Sequence, residues 1–174
     1  MRPTYTVKIA IVSDSHDQTA EMAAAVKHAL ILGAKALLHC GDVVSPGILE
    51  GLARFDLDLH VVHGNNPAEP GALAALAASR PARLRYYGPE ARFSLAGRAI
   101  YMTHFPTRAK AAAGTGEFDL VCCGHYHTAS ITPVANARTG TTWLVNPGTV
   151  GAVGQPATYV LGDLERLVFE VCYP

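Results

Sequence analysis

Val7-Lys8-Ile9-Ala10-Ile11-Val12-Ser13-Asp14-Ser15-His16 is the stretch around which the chain is organised. Val7 to Val12 form an apolar run with one lysine and read as a buried strand. The run stops at Ser13, and an aspartate and a histidine follow with one residue between them. In an extended chain, side chains two apart point the same way. Asp14 and His16 are therefore expected to face one point, an oxygen and a nitrogen aimed at one small target. A divalent cation is the natural occupant. Read singly, the triplet is also a common turn or cap. Its weight comes from four further apolar runs that end in a similar way.

At 174 residues the chain is expected to form a single domain spanning 1–174. With 49% apolar and 16% charged residues, its composition is that of a globular protein with a core. Lysine and arginine total 14 and balance 14 acids, so no general attraction for nucleic acid or an anionic membrane is expected. Any phosphate recognition must be local. The start, Met1 to Tyr5, carries one basic residue, and the apolar run after it is too short for a secretory signal. No stretch has transmembrane length. Cys40, Cys122, Cys123 and Cys172 show no C-x-x-C spacing and read as reduced core thiols of a cytoplasmic protein.

Gln18 to Leu32 is alanine-rich, with Met22, Val26, Ala29 and Leu30 on one helical face and Gly33 as its stop. Ala36 to Cys40 reads as a strand ending in Gly41-Asp42. Pro46-Gly47 opens a short helix to about Phe55, and Leu57 to His63 reads as a strand ending in Gly64-Asn65-Asn66-Pro67. An alanine-rich helix from Gly71 to Ser79 completes a strand–helix alternation, the pattern of a parallel sheet. Beyond it, Arg83 to Tyr87 and Ala91 to Leu95 alternate apolar and polar residues. Ala96-Gly97 reads as a hairpin turn into Ala99 to Thr103, which ends at His104. A short helix is expected over Pro106 to Ala113, then a strand over Phe118 to Cys123 ending in Gly124-His125-Tyr126-His127. Strands are expected over Ala129 to Val134, Thr141 to Val145, Thr158 to Leu161 and Leu167 to Val171, with Asn136 to Gly140 and Gly162-Asp163 as turns. The first half thus suggests one sheet covered by helices. The second half suggests another, more antiparallel sheet packed on the first.

Ligand sites in α/β sheets collect at the carboxyl ends of strands. Asp14, His16, Asp42, Asn65, His104, His125 and His127 all follow such ends. They form an oxygen and nitrogen set without thiolate, suited to manganese, iron, zinc or nickel. Seven ligands exceed the needs of one ion and suit two, about 3.5–4 Å apart, joined by a bridging carboxylate. The glycines before Asp42, Asn65 and His125 fit sharp turns that expose those side chains.

In this order the motifs resemble those of the calcineurin-like metallophosphoesterases over Asp14 to His127. Asn146-Pro147-Gly148-Thr149 resembles the Asn-Pro-Gly-Ser of that family's small, single-domain branch. The branch includes bacterial and archaeal phosphodiesterases and the metal-site-bearing subunit of the retromer coat. The resemblance implies an α/β fold, a four-layer α/β/β/α sandwich of two mixed β-sheets flanked by helices. It also implies one metal on Asp14, His16, Asp42 and His127 and a second on Asp42, Asn65, His104 and His125, with Asp42 bridging. Manganese heads the candidate metals.

Two divalent ions set against Asp14, Asp42 and a bridging hydroxide leave a net charge of about +1, enough to hold a phosphate ester anion. Bound water with a pKa near ~7 supplies hydroxide at neutrality. In-line attack on phosphorus is then the expected reaction, with a small-molecule phosphate ester as substrate and a phosphodiester preferred. Asp42, His104 and Asn66 are the candidate catalytic residues. Many family members have histidine at the position of Asn66, where it is thought to protonate the leaving group, and the small branch often has an acid at the position of Pro67. Asn66 can donate a hydrogen bond to a phosphate oxygen but supplies no proton. Thr103 replaces the usual glycine before the single histidine.

Taken alone, Gly41-Asp42 and Gly64-Asn65 are common turn dipeptides. His28, His39, His60 and His63 read as structural, with His39 and His63 near enough to the strand ends to support ligands by hydrogen bonds. Arg80, Arg83 and Arg85 read as a solvated strand face, whereas Arg108 and Lys110 are candidates for touching substrate. Gly148, Gly151 and Gly154 lack the context of a dinucleotide fingerprint, and no serine-hydrolase elbow occurs. The rival readings are a scaffold or binding module on the same fold and a metal-free nucleotide-binding domain. The complete ligand set favours the enzyme. No insertion large enough to cap the pocket is present, so an open site is expected, and a homo-oligomer is compatible with the sequence.

Overall fold

The computed structural model describes residues 7–52, 54–66 and 69–174. The readings made on Met1 to Tyr5 and on Pro67 lie outside the described residues. The elements are β1 (Lys8–Val12), α1 (Thr19–Ile31), β2 (Ala34–Cys40), α2 (Pro46–Leu52), β3 (Asp58–Val62) and α3 (Pro70–Ser79). There follow β4 (Leu84–Tyr86), β5 (Glu90–Leu95), β6 (Arg98–Thr103), α4 (Pro106–Gly114), β7 (Leu120–Cys122), β8 (Ala129–Asn136), β9 (Gly140–Pro147), β10 (Tyr159–Asp163) and β11 (Val168–Cys172). Among the described residues, no helix is long and apolar enough to cross a membrane.

Two mixed sheets stack between helices. One has the order β11-β10-β1-β2-β3-β4, the other β5-β6-β7-β9-β8. Strands β1 to β4 run parallel to one another, as do β6, β7 and β9. The sides of β1 show how the layers arise. Ala10 and Val12 face a core shared with α1, α2 and α3, whereas Ile9 and Ile11 face a second core against Ile100, Leu120 and Val145 of the other sheet. A strand buried on both faces needs apolar residues at every position, as Ile9 to Val12 have. A third core, with Tyr101, Ala109 and Phe118, lies under α4.

The division by halves does not hold. β4 joins the first sheet parallel to β3, while β10 returns to it antiparallel to β1 and β11 pairs antiparallel to β10 at the sheet edge. A period-two pattern reveals a strand but not its partner, so the long return was not legible. Gly162 and Asp163 end β10 instead of making its turn. Asp163 Oδ1 accepts the N–H groups of Glu165 and Arg166 at 3.0 and 3.1 Å, which places the turn over the next residues. Gly33 ends α1 with φ +95° as expected, its N–H donating to Leu30 O at 2.9 Å. Ala96 and Gly97, both at positive φ, close the β5–β6 hairpin.

His60 sits between the sheets, stacked on Phe93 with centroids 4.6 Å apart, and its Nδ1 is 2.8 Å from the Tyr87 hydroxyl. Burial pushes its pKa down from 6.5 to about 4, with Arg85 adding and Asp58 opposing. Between those values the unfolded chain binds a proton that the native chain does not. Stability therefore falls as pH falls through this window, by up to about 1.4 kcal/mol per pH unit. Urea titrations from pH 7 to pH 4.5 are expected to show a shallower loss for His60→Phe than for the unsubstituted chain. Equal slopes would refute this role.

Candidate metal centre

The five motif groups end β1, β2, β3, β6 and β7, at the same edge of the two facing sheets. Asp14, Asp42 and His104 are buried, at 0, 2 and 0% exposure, while Asn65 and His125 are exposed at the mouth. His127 Nε2 lies 3.3 Å from Asp14 Oδ1, and His16 Nε2 lies 3.5 Å from Asp42 Oδ2 and 4.0 Å from Asp14 Oδ1. His104 Nε2 lies 3.4 Å from Asp42 Oδ1 and 3.9 Å from Asp14 Oδ1. Asn65 Oδ1 lies 3.0 Å from His104 Nε2 and 2.9 Å from His125 Nδ1. All seven side chains singled out in the sequence are thus brought together, over 113 positions from Asp14 to His127. Among the described residues, the cluster is open to solvent on the side of Asn65 and His125.

The ring orientations show what this cluster lacks. His104 Nδ1 is 2.9 Å from Cys40 O, and His127 Nδ1 is 2.9 Å from Val153 O. A carbonyl only accepts, so in each ring Nδ1 carries a hydrogen, and in the neutral ring the Nε2 lone pair turns inward. Those lone pairs face carboxylate oxygens. Asp14 Oδ1 and His16 Nε2 are buried and have no hydrogen-bond partner. Acceptors facing acceptors in a buried site call for positive charge between them. Asp14, His16 and His127 offer ligand atoms within 4.8 Å of one another, as do Asp14, Asp42 and His104, so either group could hold a metal ion.

The backbone differs from the extended chain read at Asp14-Ser15-His16. Asp14, His16, Asp42, His125 and His127 all adopt positive φ, between 42° and 75°. The two side chains of the first motif converge through a left-handed turn. Such conformations in non-glycine residues cluster where geometry is functionally demanded. Of the glycines preceding ligand candidates, Gly41 has φ +106°, while Gly64 and Gly124 do not have positive φ. Their reason is space. A Cβ on Gly64 would lie 2.2 Å from Asp42 Oδ1 and 2.7 Å from the His104 ring, and one on Gly124 would lie 1.9 Å from Ser13 Oγ.

Three straps hold these turns. Asn146 Nδ2 donates to Gly124 O at 2.8 Å, and Thr149 Oγ1 donates to Asp14 O at 2.9 Å. The Asn146-Pro147-Gly148-Thr149 stretch therefore ties the two histidine-bearing turns together. Ser15 Oγ donates to Asp42 O at 3.3 Å and lies 3.0 Å from His39 Nε2, while Gly41 N–H donates to His39 Nδ1 at 3.3 Å. Burial first, then His104, pushes the His39 pKa down to about 3, so the ring stays neutral with its hydrogen on Nε2, toward Ser15. His39 supports the turns rather than a ligand side chain. His39 was singled out in the sequence as a hydrogen-bonding support for the ligands, whereas Ser15 was legible only as a motif spacer.

Asn66 is the third strap. Its backbone N–H and its Nδ2 donate to Asp42 Oδ1 and Oδ2, both at 2.9 Å, so its amide grips the carboxylate instead of standing free for a phosphate oxygen. Burial pushes the Asp42 pKa up, but these two bonds and the neighbouring His104 and His16 outweigh it and leave the carboxyl below its ordinary value. His63 is held by the Tyr86 hydroxyl, 2.6 Å from its Nδ1, and is not part of the ligand cluster. Arg108 pairs with Glu90 at 3.9 Å, and Arg83 pairs with Asp56. All four cysteines are free and buried.

The model of the calcineurin-like phosphoesterase superfamily domain matches residues 7–167. The chain belongs to this superfamily. No curated protein matches it in sequence. Among solved structures, an archaeal phosphodiesterase is 21% identical, with a TM-score of 0.83 over 95% of this chain and 99% of that one. YfcE, a phosphoesterase from E. coli, is 20% identical, with a TM-score of 0.57 over 95% and 98%. Vps29 from Entamoeba histolytica, solved in complex with zinc, is 12% identical, with a TM-score of 0.61 over 95% and 97%. At these identities the likeness carries the fold alone, and that fold is the four-layer sandwich expected from the sequence. The superfamily implies divalent metal ions, and the unpartnered Asp14 Oδ1 and His16 Nε2 fit that requirement.

The close approach at Gly64 can be tested directly. Gly64→Ala is expected to lower stability by about 2 kcal/mol through overpacking against Asp42 and His104. Gly51→Ala, where nothing lies within 4 Å, is expected to be neutral or to stabilise α2 by about 0.5 kcal/mol. Thermal melts of the two variants that coincide would remove the steric explanation.

Proposed function

We propose that the chain is a phosphoesterase carrying two divalent metal ions, best suited to phosphodiesters, folded as one domain and working in the cytoplasm. The reading rests above all on the buried, unpartnered Asp14 Oδ1 and His16 Nε2 within a convergence of seven ligand-type side chains. Asp14, His16, Asp42 and His127 would hold one ion, and Asp42, Asn65, His104 and His125 the other. Manganese suits this oxygen and nitrogen set, as do iron, zinc and nickel. Bound there, the ions supply positive charge to the phosphoryl oxygens and a water acidic enough to serve as nucleophile for in-line displacement.

The chain's own residues set the geometry. Asn66 fixes both oxygens of Asp42 and keeps the carboxyl ionised, so Asp42 can face two ions at once. The carbonyls of Cys40 and Val153 fix the rings of His104 and His127 with Nε2 inward.

Metal analysis with hydrolysis of bis(p-nitrophenyl) phosphate tests the reading. Turnover is expected with added Mn²⁺, and none with Mn, Ni, Fe or Zn would overturn it. Asp42→Asn is expected to release both ions and abolish turnover, whereas His28→Ala, altering a ring bonded to the Tyr159 hydroxyl, is expected to do neither. If Asp42→Asn kept two ions, the bridging role would fall.

The leaving group offers a second test. Asn66 supplies no proton, and a general acid is worth roughly 100-fold or more in rate. Aryl diesters such as p-nitrophenyl esters are therefore expected to exceed dialkyl esters in kcat/KM by at least that factor beyond their intrinsic reactivity difference. A rate independent of leaving-group pKa would contradict this. The rival reading, a binding module on the same fold, predicts metal uptake without turnover of any ester.

A further inference from the structure

Beside His125 lies a cleft of about 410 Å³ that the ligand cluster does not use. We propose that this cleft receives the nucleoside-type arm of the phosphodiester substrate. The inference rests on the phosphoesterase reading and adds to it the class of ester.

The cleft is built on the outer face of the second sheet. α4 contributes Thr107 and Lys110, β8 contributes Ser130, Cys123 and Leu144 line it from β7 and β9, and Tyr126 closes one side. Tyr126 stands between His125 and His127 in the chain. Its ring centroid is 5.8 Å from that of His125, and Phe105, which precedes α4, lies at the same 5.8 Å. Tyr126 thus joins the cleft wall to the His125 side of the ligand cluster, and an arm of an ester bound at the cluster would enter the cleft from that side.

The lining selects the arm. The volume exceeds what a methyl or ethyl arm fills and lies in the range of pockets for organic ligands, about 300–1,000 Å³. Leu144 and the buried Cys123 give an apolar wall. Tyr126 is 63% exposed, an aromatic face open for stacking. Against these stand donors. Arg92 and Arg108 are engaged with Glu117 and Glu90, whereas among the described residues Lys110 has no carboxylate within 4.0 Å. The hydroxyls of Thr107 and Ser130 add two more donors. An acyl chain or an unsubstituted phenyl ring would bury these donors without partners, at a cost of about 1–3 kcal/mol each. A flat ring rimmed by carbonyl and hydroxyl oxygens satisfies walls and donors together, and a nucleoside is such a group.

The test compares two esters that release the same p-nitrophenolate, thymidine 5′-p-nitrophenyl phosphate and methyl p-nitrophenyl phosphate, with manganese-loaded protein. The thymidine ester is expected to have a KM about 10-fold lower. Lys110→Ala and Tyr126→Leu are expected to raise that KM about 10-fold, leaving kcat within about 2-fold and the methyl ester unchanged. Equal KM values for the two esters, or variants that shift both alike, would overturn the cleft assignment while the phosphoesterase reading stood. If neither ester turned over, that reading would fail and calorimetric binding of thymidine 5′-monophosphate would decide. Binding weakened by Lys110→Ala would sustain the cleft, and no binding would overturn it.

Discussion

The structure depends on a set of buried acceptor atoms turned toward one another. Asp14 Oδ1 has three imidazole nitrogens within 4.0 Å, those of His127, His104 and His16, and no donor of its own. Two of those rings are locked by backbone carbonyls so that a lone pair, not an N–H, faces the carboxylate. A fold gains nothing by packing such atoms together, because each buried polar group without a partner costs about 1–3 kcal/mol. Everything around the cluster serves to keep it assembled despite that cost.

The backbone carries a further cost. Five residues of the cluster sit at positive φ, each at about 1 kcal/mol or more, so about 5 kcal/mol is stored in the turns. That is comparable to the whole net stability of many domains. The straps oppose it. Asn146 and Thr149 hold turns from both sheets, Ser15 and His39 join the first two motifs, and Asn66 grips Asp42. Each such bond contributes about 1 kcal/mol net. Ligand binding adds more, about 2.7 kcal/mol at a concentration 100 times the dissociation constant. The bonds and a bound cation are thus of the size needed to offset the strain.

The sequence was informative where chemistry is local. Apolar runs that stop abruptly at aspartate, asparagine or histidine located every side chain of the cluster, because strand ends in a parallel sheet share one edge. Helix boundaries followed from Gly33, Pro46 and the alanine-rich faces. What escaped was non-local. No pattern in Tyr159 to Val171 says that these strands cross back to pair beside β1, since alternation does not encode a partner. The left-handed turn at Asp14 and His16 was hidden for a related reason. Neither residue is glycine, so the conformation is imposed by Thr149 and Gly151, which lie more than a hundred positions away. Asn66 was visible as a missing histidine, but its bond to Asp42 needed coordinates.

The physical cost of the cluster bears on whether this surface is a hydrolytic site or a docking face. A docking face needs shape and exposed side chains. It does not need Asp14 and His104 at 0% exposure with their acceptor atoms opposed, nor glycines at Gly64 and Gly124 pressed so close that a methyl group would strike Asp42 or Ser13. Replacing Asp14 by an apolar residue would relieve both an unpartnered oxygen and part of the strain, with no effect on the outer surface. A chain that carries the full set therefore bears a stability penalty that an occupant of the cluster would help to return. Cations would return it by charge, and under the proposed reading the exposed Asn65 and His125 mark the side from which an anionic ester would reach them. The geometry of the cluster is for that reason better explained by an occupant within it than by contact around it.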